Sequence, residues 1–433
     1  MAMWRKLVPY LRLIRFVLRK YALVPLRRVF GRRIPIAMVT GTKGKTTTTR
    51  MLAHILSQAG HIVGYTSTDG VVVNGEYLNR YDYADYNGAR ILLSHPSITA
   101  AVLETARGGL LKLGLYRDQC NVAALLNVGR EQIGIDGIET LEQMASLKQR
   151  VINAARDAVV LNADDVLCTG MINSYPVHRL ILFSLKADNL FVKNHIERGG
   201  IAYVLNGPGN AKRLERWEKD KKLTIIYLSD LPAAGNGVFF QNIANALAAA
   251  AMAEGMGISF KTIGRALQTF KNSMKDSPGH LNFIEGYAQT ILLDTIASVP
   301  SCKALVQSLD LMQIQFSGSR VCMYTTPGNR PAWHYTELGE ILCSHFDHFI
   351  CYELEHYARG RAPGELAKLL KEGLEKAGVN SQDIDTATGY AQATDRLSQV
   401  VGKNGLVVIL VASAYKYMPI FRDSFSQHKI TAQ

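Results

Sequence analysis

The run Gly41-Thr42-Lys43-Gly44-Lys45-Thr46 constrains this chain more than any other feature, because it follows an apolar stretch at residues 36–39 and opens a helical pattern near Thr46. A strand, a glycine loop and a helix N-terminus in that order form a cradle for phosphate. Glycines let backbone N–H groups approach the oxygens, and the helix end adds a favourable dipole. Lys45 is then placed to neutralise the β- and γ-phosphates, and the Thr46 hydroxyl to ligate Mg²⁺. The longer form of this loop needs a glycine at position 39, which is Val39, so the match is to the shorter GxxGKT pattern. Gly41, Thr42, Lys43, Gly44, Lys45, Thr46 and Thr47 are therefore the candidate nucleotide-binding residues, for ATP with Mg²⁺.

Around the loop, buried strands alternate with helices. Apolar runs at 36–39, 100–103, 122–126 and 159–161 read as strands, and Asn74-Gly75 between two β-rich stretches predicts a type I′ hairpin over 71–78. A second series follows Ser277-Pro278-Gly279, with strands at 291–293, 321–324, 346–352 and 406–411 and helices at 301–311, 362–377 and 386–401. The pattern predicts an α/β fold: a central P-loop ATPase domain with a mostly parallel sheet at 35–278, then a smaller Rossmann-like C-terminal domain at 279–433.

The net charge of +13 is local. Residues 1–34 carry ten Lys or Arg and no acid, which leaves +3 for the other 399 residues. With the body nearly neutral and no aromatic-basic recognition motif, nucleic acid is excluded as an expected partner. On a helical wheel Trp4, Leu7, Leu11, Ile14 and Leu18 oppose Arg5, Arg12, Arg15 and Arg19. Such a segment suits an anionic membrane surface, a partner protein or packing on the body, and all three stay open. The six cysteines show no CxxC spacing, and no cleavable leader or spanning helix is apparent. The expected location is cytoplasmic, peripheral at a membrane if the basic segment binds one. Oligomeric state stays open, a homo-oligomer included.

Beyond the loop, VTGTKGKTTTTRMLAHILSQAG, TSTDGVVVNGE, AAVLETARGGLL, GIDGIETLEQMASLKQRVI, VVLNADD, QNIANALAAAA, FDHFICYE, RGRAPGELAKLLKEGL and GLVVILVA resemble, in order, the Mur ligase superfamily, and within it the C-terminal half of cyanophycin synthetases. The resemblance covers nearly all of residues 35–412. It implies an ADP-forming ligase that joins a carboxylate to an amine through an acyl-phosphate, with amino acids or peptides as substrates. It implies that Glu104 helps to hold Mg²⁺ beside Thr46, and that Lys148 forms a carbamate ligating a second Mg²⁺, which requires a neutral amine. It places Asn162, Asn242 and Asn245 near adenine and ribose, Asp294 at the chemical centre, and Arg330, in Thr326-Pro327-Gly328-Asn329-Arg330, in the amine pocket. There it either clamps a carboxylate bidentately or is a surface arginine.

The chain also departs from the family. An Asp-His pair that supplies a second-metal ligand is Glu131-Gln132 here, and a junction PGR is Pro278-Gly279-His280. A DYAHNP segment reads Asp294-Thr295-Ile296-Ala297-Ser298-Val299-Pro300, which keeps the aspartate and loses the histidine and asparagine. The 34 residues before the first strand are too few for a UDP-sugar domain, and the ATP-grasp half of cyanophycin synthetase is missing, so at most one of its ligations is expected. Two other readings remain: a non-catalytic nucleotide-binding scaffold or partner subunit, and a membrane-associated ligase like polyglutamate synthases.

Overall fold

Glycine-governed turns and apolar strands build two sheets, seen in a computed structural model that describes residues 34–295, 297–312 and 317–429. The basic segment at 1–33 lies outside the described residues. The first sheet comprises β1 (Ile36–Thr40), β2 (Val63–Ser67), β3 (Gly70–Val73), β4 (Glu76–Asn79), β5 (Ala100–Glu104), β6 (Cys120–Leu125), β7 (Ala155–Asn162), β8 (Leu180–Ser184), β9 (Ile201–Asn206), β10 (Arg213–Glu218) and β11 (Lys221–Tyr227). Their order is β11-β10-β9-β8-β7-β6-β1-β5-β2-β3-β4. Strands β2, β5, β1, β6, β7, β8 and β9 run parallel, and the antiparallel hairpins β3–β4 and β10–β11 close the two edges.

The predicted hairpin at 71–78 is present, with Asn74 and Gly75 both at positive φ (51° and 85°), as a type I′ turn requires. Strands β2, β8, β9, β10 and β11 were not anticipated. Those of the β10–β11 hairpin are rich in charge, and Arg216 pairs there with Glu218 and Glu254. Long charged side chains at a sheet edge hide the period-2 pattern.

The second sheet contains β12 (Asn282–Ile284), β13 (Thr290–Thr295), β14 (Arg320–Tyr324), β15 (His348–Glu353), β16 (Ile384–Thr388) and β17 (Leu406–Val411), in the order β12-β13-β17-β14-β15-β16. All pairs but β12–β13 are parallel. One sequence expectation is corrected here: the stretch 386–401 is not helical throughout. Residues 384–388 form β16, and the helix is Gly389–Val400. Thr386 and Thr388 are β-branched and sit against β15, where tertiary pairing outweighs the helical reading.

Residues 36–433 form one compact unit. Between the sheets, the Arg130 guanidinium reaches both oxygens of Glu337 at 2.5 and 2.6 Å and lies 4.2 Å over the Trp333 ring. Among the described residues no helix is long and apolar enough to cross a membrane.

Candidate functional site

Chain order reverses at β1. The polypeptide leaves it toward β2 and β5 on one side and returns as β6 on the other, opening a crevice beyond the strands' C-terminal ends. The glycine loop lies in that crevice. Gly44 sits at φ 83°, and a Cβ there would come within 2.3 Å of Asn245 Oδ1, so both the backbone turn and the close approach require glycine. The helix Lys45–Gln58 starts directly from it, without a side-chain cap, which leaves its first N–H groups for a ligand.

Asn127, just beyond β6, holds the loop. Its Oδ1 accepts from the backbone N–H of Thr42 (3.0 Å) and of Lys43 (2.8 Å), and its Nδ2 donates to Lys43 O (3.1 Å). Sequence reading missed this residue. A lone asparagine after a strand carries no local signal until the crossover brings it against the loop.

A cleft of about 600 Å³ opens above the loop. Thr42, Lys43, Gly44, Lys45, Thr46, Thr47, Glu104, Asn242 and Asn245 line it from the first sheet's side, and Asp294 from the end of β13. Val411 and Ala412, at the end of β17, share the wall. Asn127, Asp69, Asp82 and Tyr357 also line it and were not singled out from sequence. Asp69 is held by the buried Arg50 guanidinium at 2.6 Å.

Glu104 ends β5 almost fully buried, at 1 % exposure. Its Oε2 accepts from the Thr46 hydroxyl at 2.8 Å, while Oε1 has no hydrogen-bond partner. Burial raises its pKa to about 7, opposed by the Lys45 charge and the Thr46 hydrogen bond. A buried carboxylate oxygen without a donor is costly in a finished protein, so it fits a site built for a cation. No cluster of three or more His, Cys, Asp or Glu residues suited to a metal occurs among the described residues. Mg²⁺ does not need one, since it is commonly held by one or two protein oxygens with phosphate and water.

Lys148 lies on the helix Leu141–Ile152, buried on its apolar face with Met144, Val151 and Ile152. Its ammonium donates to Gly41 O at 3.0 Å, directly beneath the loop. Burial lowers its pKa to about 7, with the charges of Lys45 and Arg107 adding to the effect. The neutral amine that carbamate formation requires is thus accessible near neutral pH.

Asn162 and Arg330 sit apart from the cleft wall. Asn162 donates to Leu126 O (2.8 Å) and accepts from Asp164 N (2.9 Å), which ties down the end of β7. Arg330 is half-buried and donates from Nη1 to Glu131 O at 2.7 Å, so it is neither a free surface arginine nor part of the cleft lining. Asn242 donates to Ala233 O and Asn272 Oδ1, both at 3.0 Å; Asn245 donates to Asn242 Oδ1 and accepts from Thr48. Neither caps its helix, which begins at Phe240.

At the junction, burial and the charge of Arg50 lower the His280 pKa to about 4, so position 280 contributes a neutral group to the cleft. Asp294 accepts from Leu281 N at 3.2 Å, and burial raises its pKa to about 6.

His334 braces the segment that carries Arg330. Thr326 Oγ1 donates to Ala297 O at 2.9 Å and so accepts from His334 Nε2 at 3.0 Å. Burial and the Arg330 charge lower the His334 pKa to about 3. The unfolded chain protonates this residue below about pH 6.5 and the native chain does not, so its stabilising contribution is complete above that pH and lost as the pH falls toward 3. About 2 kcal/mol should be lost between pH 7 and pH 5 on this account. Replacing His334 by Gln keeps a donor near Nε2 and removes the titration. Urea midpoints should then fall less steeply in the variant over that range, and parallel profiles would refute the assignment.

Comparison with known proteins agrees with this geometry. Residues 39–253 match the Mur ligase middle domain. The chain is 35 % identical over 396 residues to cyanophycin synthetase from Synechocystis sp., covering 90 % of this chain and 44 % of that protein. It thus spans less than half the length of the cyanophycin synthetases it matches. In fold it is similar to folylpolyglutamate synthase of Mycobacterium tuberculosis, solved with ADP and AMPPCP, at TM-score 0.64 and 15 % identity, covering 98 % of this chain and all of the other. It is likewise similar to MurF from Acinetobacter baumannii, at TM-score 0.62 and 20 % identity, covering 91 % and 77 % of the two chains. Loop, flanking sheet and second sheet therefore carry one consistent signature, and the chain belongs to the Mur ligase superfamily.

Proposed function

We propose that this protein is an ATP-dependent, ADP-forming ligase that joins a carboxylate to an amine of amino-acid or peptide substrates through an acyl-phosphate. The observation that carries this reading is the convergence in one cleft of Lys45, Thr46 and Glu104 from the first sheet with Asp294 from the second. Lys45 holds the transferring phosphoryl group, and the loop N–H groups hold the remaining phosphates. Thr46 and Glu104 would hold Mg²⁺, and a carbamate formed on Lys148 would ligate a second ion. Bound there, these ions offset the charge that develops during phosphoryl transfer. Asp294, in the cleft wall, would accept a proton from the amine.

The test is ATP-dependent phosphate release by the purified full chain, screened against amino acids and short acidic peptides. Release that requires both an acid and an amine supports the ligase. Release independent of both contradicts it. The rival reading, a nucleotide-binding scaffold, draws on the neutral His280 and on Gln132, and predicts nucleotide binding with no release under any pairing.

The basic segment at 1–34 is read as a membrane-surface anchor, which joins this ligase to the polyglutamate-synthase-like alternative. Deleting residues 2–33 should leave a folded, active core and cut binding to anionic liposomes by more than about tenfold, since about 1 kcal/mol per basic residue is lost. Equal vesicle binding by the truncated chain ends the membrane reading. Loss of folding would show that the segment packs on the body.

A further inference from the structure

The loop that presents Lys45 also presents Lys43, and the two ammonium groups have different surroundings. Lys45 donates to Thr42 O at 3.2 Å, and its charge acts on Glu104, Asp82 and Lys148, all on elements of the first sheet. The Lys43 charge acts instead on His280 in the segment leading into the second sheet, on Asp294 in β13, and on Cys302 and His334 in helices packed against that sheet.

Lys43 has one ion-pair partner, Glu131, at 3.9 Å, and its ammonium makes no hydrogen bond to any described residue. Glu131 is 5 % exposed, and its Oε1 likewise lacks a hydrogen bond. The Arg330 guanidinium adds further positive charge at Glu131, with its Nε buried and unpartnered. The Lys43 side chain keeps 38 % of its surface exposed and lines the cleft, so the three donors of its ammonium are open to a ligand. Desolvation within the cleft wall lowers its pKa, although Glu131 opposes the shift. The charges around Lys43 are thus two cations, Lys45 and Arg330, against Glu131 and the partly protonating Asp294, with His280 and His334 neutral. This part of the cleft, walled by Lys43, His280, Asp294 and Ser301, carries an exposed cation whose single ion-pair partner among the described residues is 3.9 Å away.

We propose that the Lys43 side chain, expected from sequence to bind nucleotide, instead anchors an anion subsite separate from the nucleotide phosphates, and that the anion it takes is the carboxylate of the acid substrate. This deepens the ligase reading and rests on it for the identity of the anion. The two lysines then divide the work of one loop. Lys45 faces the phosphates over the first sheet, and Lys43, two residues earlier, holds the carboxylate toward the second sheet. That arrangement brings the two reacting anions side by side with a cation at each.

The experiment uses the full chain saturated with Mg²⁺ and a non-hydrolysable ATP analogue, so that the γ-phosphate position is filled, and measures succinate binding by saturation-transfer NMR. Wild type should bind succinate in the millimolar range. Lys43→Met should weaken it more than tenfold, and Lys43→Arg should restore it to within about threefold. Analogue affinity should stay within about threefold in both variants, with unchanged thermal unfolding. No detectable succinate binding in wild type, equal binding in Lys43→Met, or a parallel loss of analogue affinity would each overturn the proposal. The last result would make Lys43 another phosphate contact. Lys43-dependent succinate binding in a protein that releases no phosphate with any acid and amine would retain the anion subsite and remove the ligase reading.

Discussion

Replacing Lys148 by Ala should reduce single-turnover ligation by at least about 10²-fold while leaving nucleotide affinity within a few-fold of wild type, in line with the loss of one preorganised charge at a reacting centre. The lysine is buried, its ammonium rests on Gly41 O, and its pKa is lowered to about 7. Carbamate formation joins the neutral amine nitrogen to the carbon of CO₂, releases one proton to solvent and leaves a buried anion. Activity should therefore rise with added bicarbonate after CO₂ is stripped from the buffer, and the alanine variant should lose that response. Short carboxylates that fill the vacated space should restore part of the rate. In a scaffold the same substitution removes only a buried amine and its hydrogen bond, and no bicarbonate response exists in either protein. An unchanged ligation rate in the variant would show that the carbamate arrangement is not used.

Replacing Lys45 by Ala has the larger expected effect, at least about 10³-fold on ATP turnover and ligation together. Lys43 does not compensate, because its charge acts on groups of the second sheet and its helices. Loss of turnover with nucleotide affinity largely kept fits a lysine whose contacts strengthen in the transition state. Full activity in this variant would remove the nucleotide chemistry from the loop. The thermal unfolding profile should change little, since Lys45 makes one hydrogen bond, to Thr42 O in its own loop.

The legible part of the site was the part written in local sequence. Gly44 is dictated by a left-handed backbone and a close approach, and such positions announce themselves as glycine. Glu104 could be placed at the end of an apolar strand, while its metal role came from the family resemblance. Lys148 was singled out by the family resemblance alone, since a lysine on a helix is ordinarily solvated; the structure places it on the buried stripe with Met144 and Val151. Its depth beneath Gly41 belongs to tertiary packing and appears in no periodicity.

Asn127, Asp69 and the Arg50 that holds Asp69 were illegible for the same reason, since isolated polar residues acquire a role only when crossovers assemble strand ends. Asn162 and Arg330 show the converse. Their surroundings resemble family motifs, yet here each side chain is tied to a backbone carbonyl, Leu126 O for one and Glu131 O for the other. The edge strands β10 and β11 were hidden because they are rich in charge, with Arg213–Glu215 and Arg216–Glu218 paired along β10 and Arg216 also paired to Glu254 on the helix Phe240–Gly255.

The central claim is that a carboxylate is phosphorylated by ATP and then captured by an amine. In that sequence a carboxylate oxygen attacks the γ-phosphorus and ADP departs with the broken bond's electron pair. The amine then attacks the carbonyl and loses a proton, and phosphate leaves with the oxygen that came from the acid. The most direct measurement is mass analysis of the phosphate released from an acid labelled with ¹⁸O in its carboxylate, using whichever acid and amine support turnover. The account predicts one ¹⁸O per phosphate, equimolar ADP and amide, and no AMP. Unlabelled phosphate, or ATP cleaved to AMP and pyrophosphate, would contradict it.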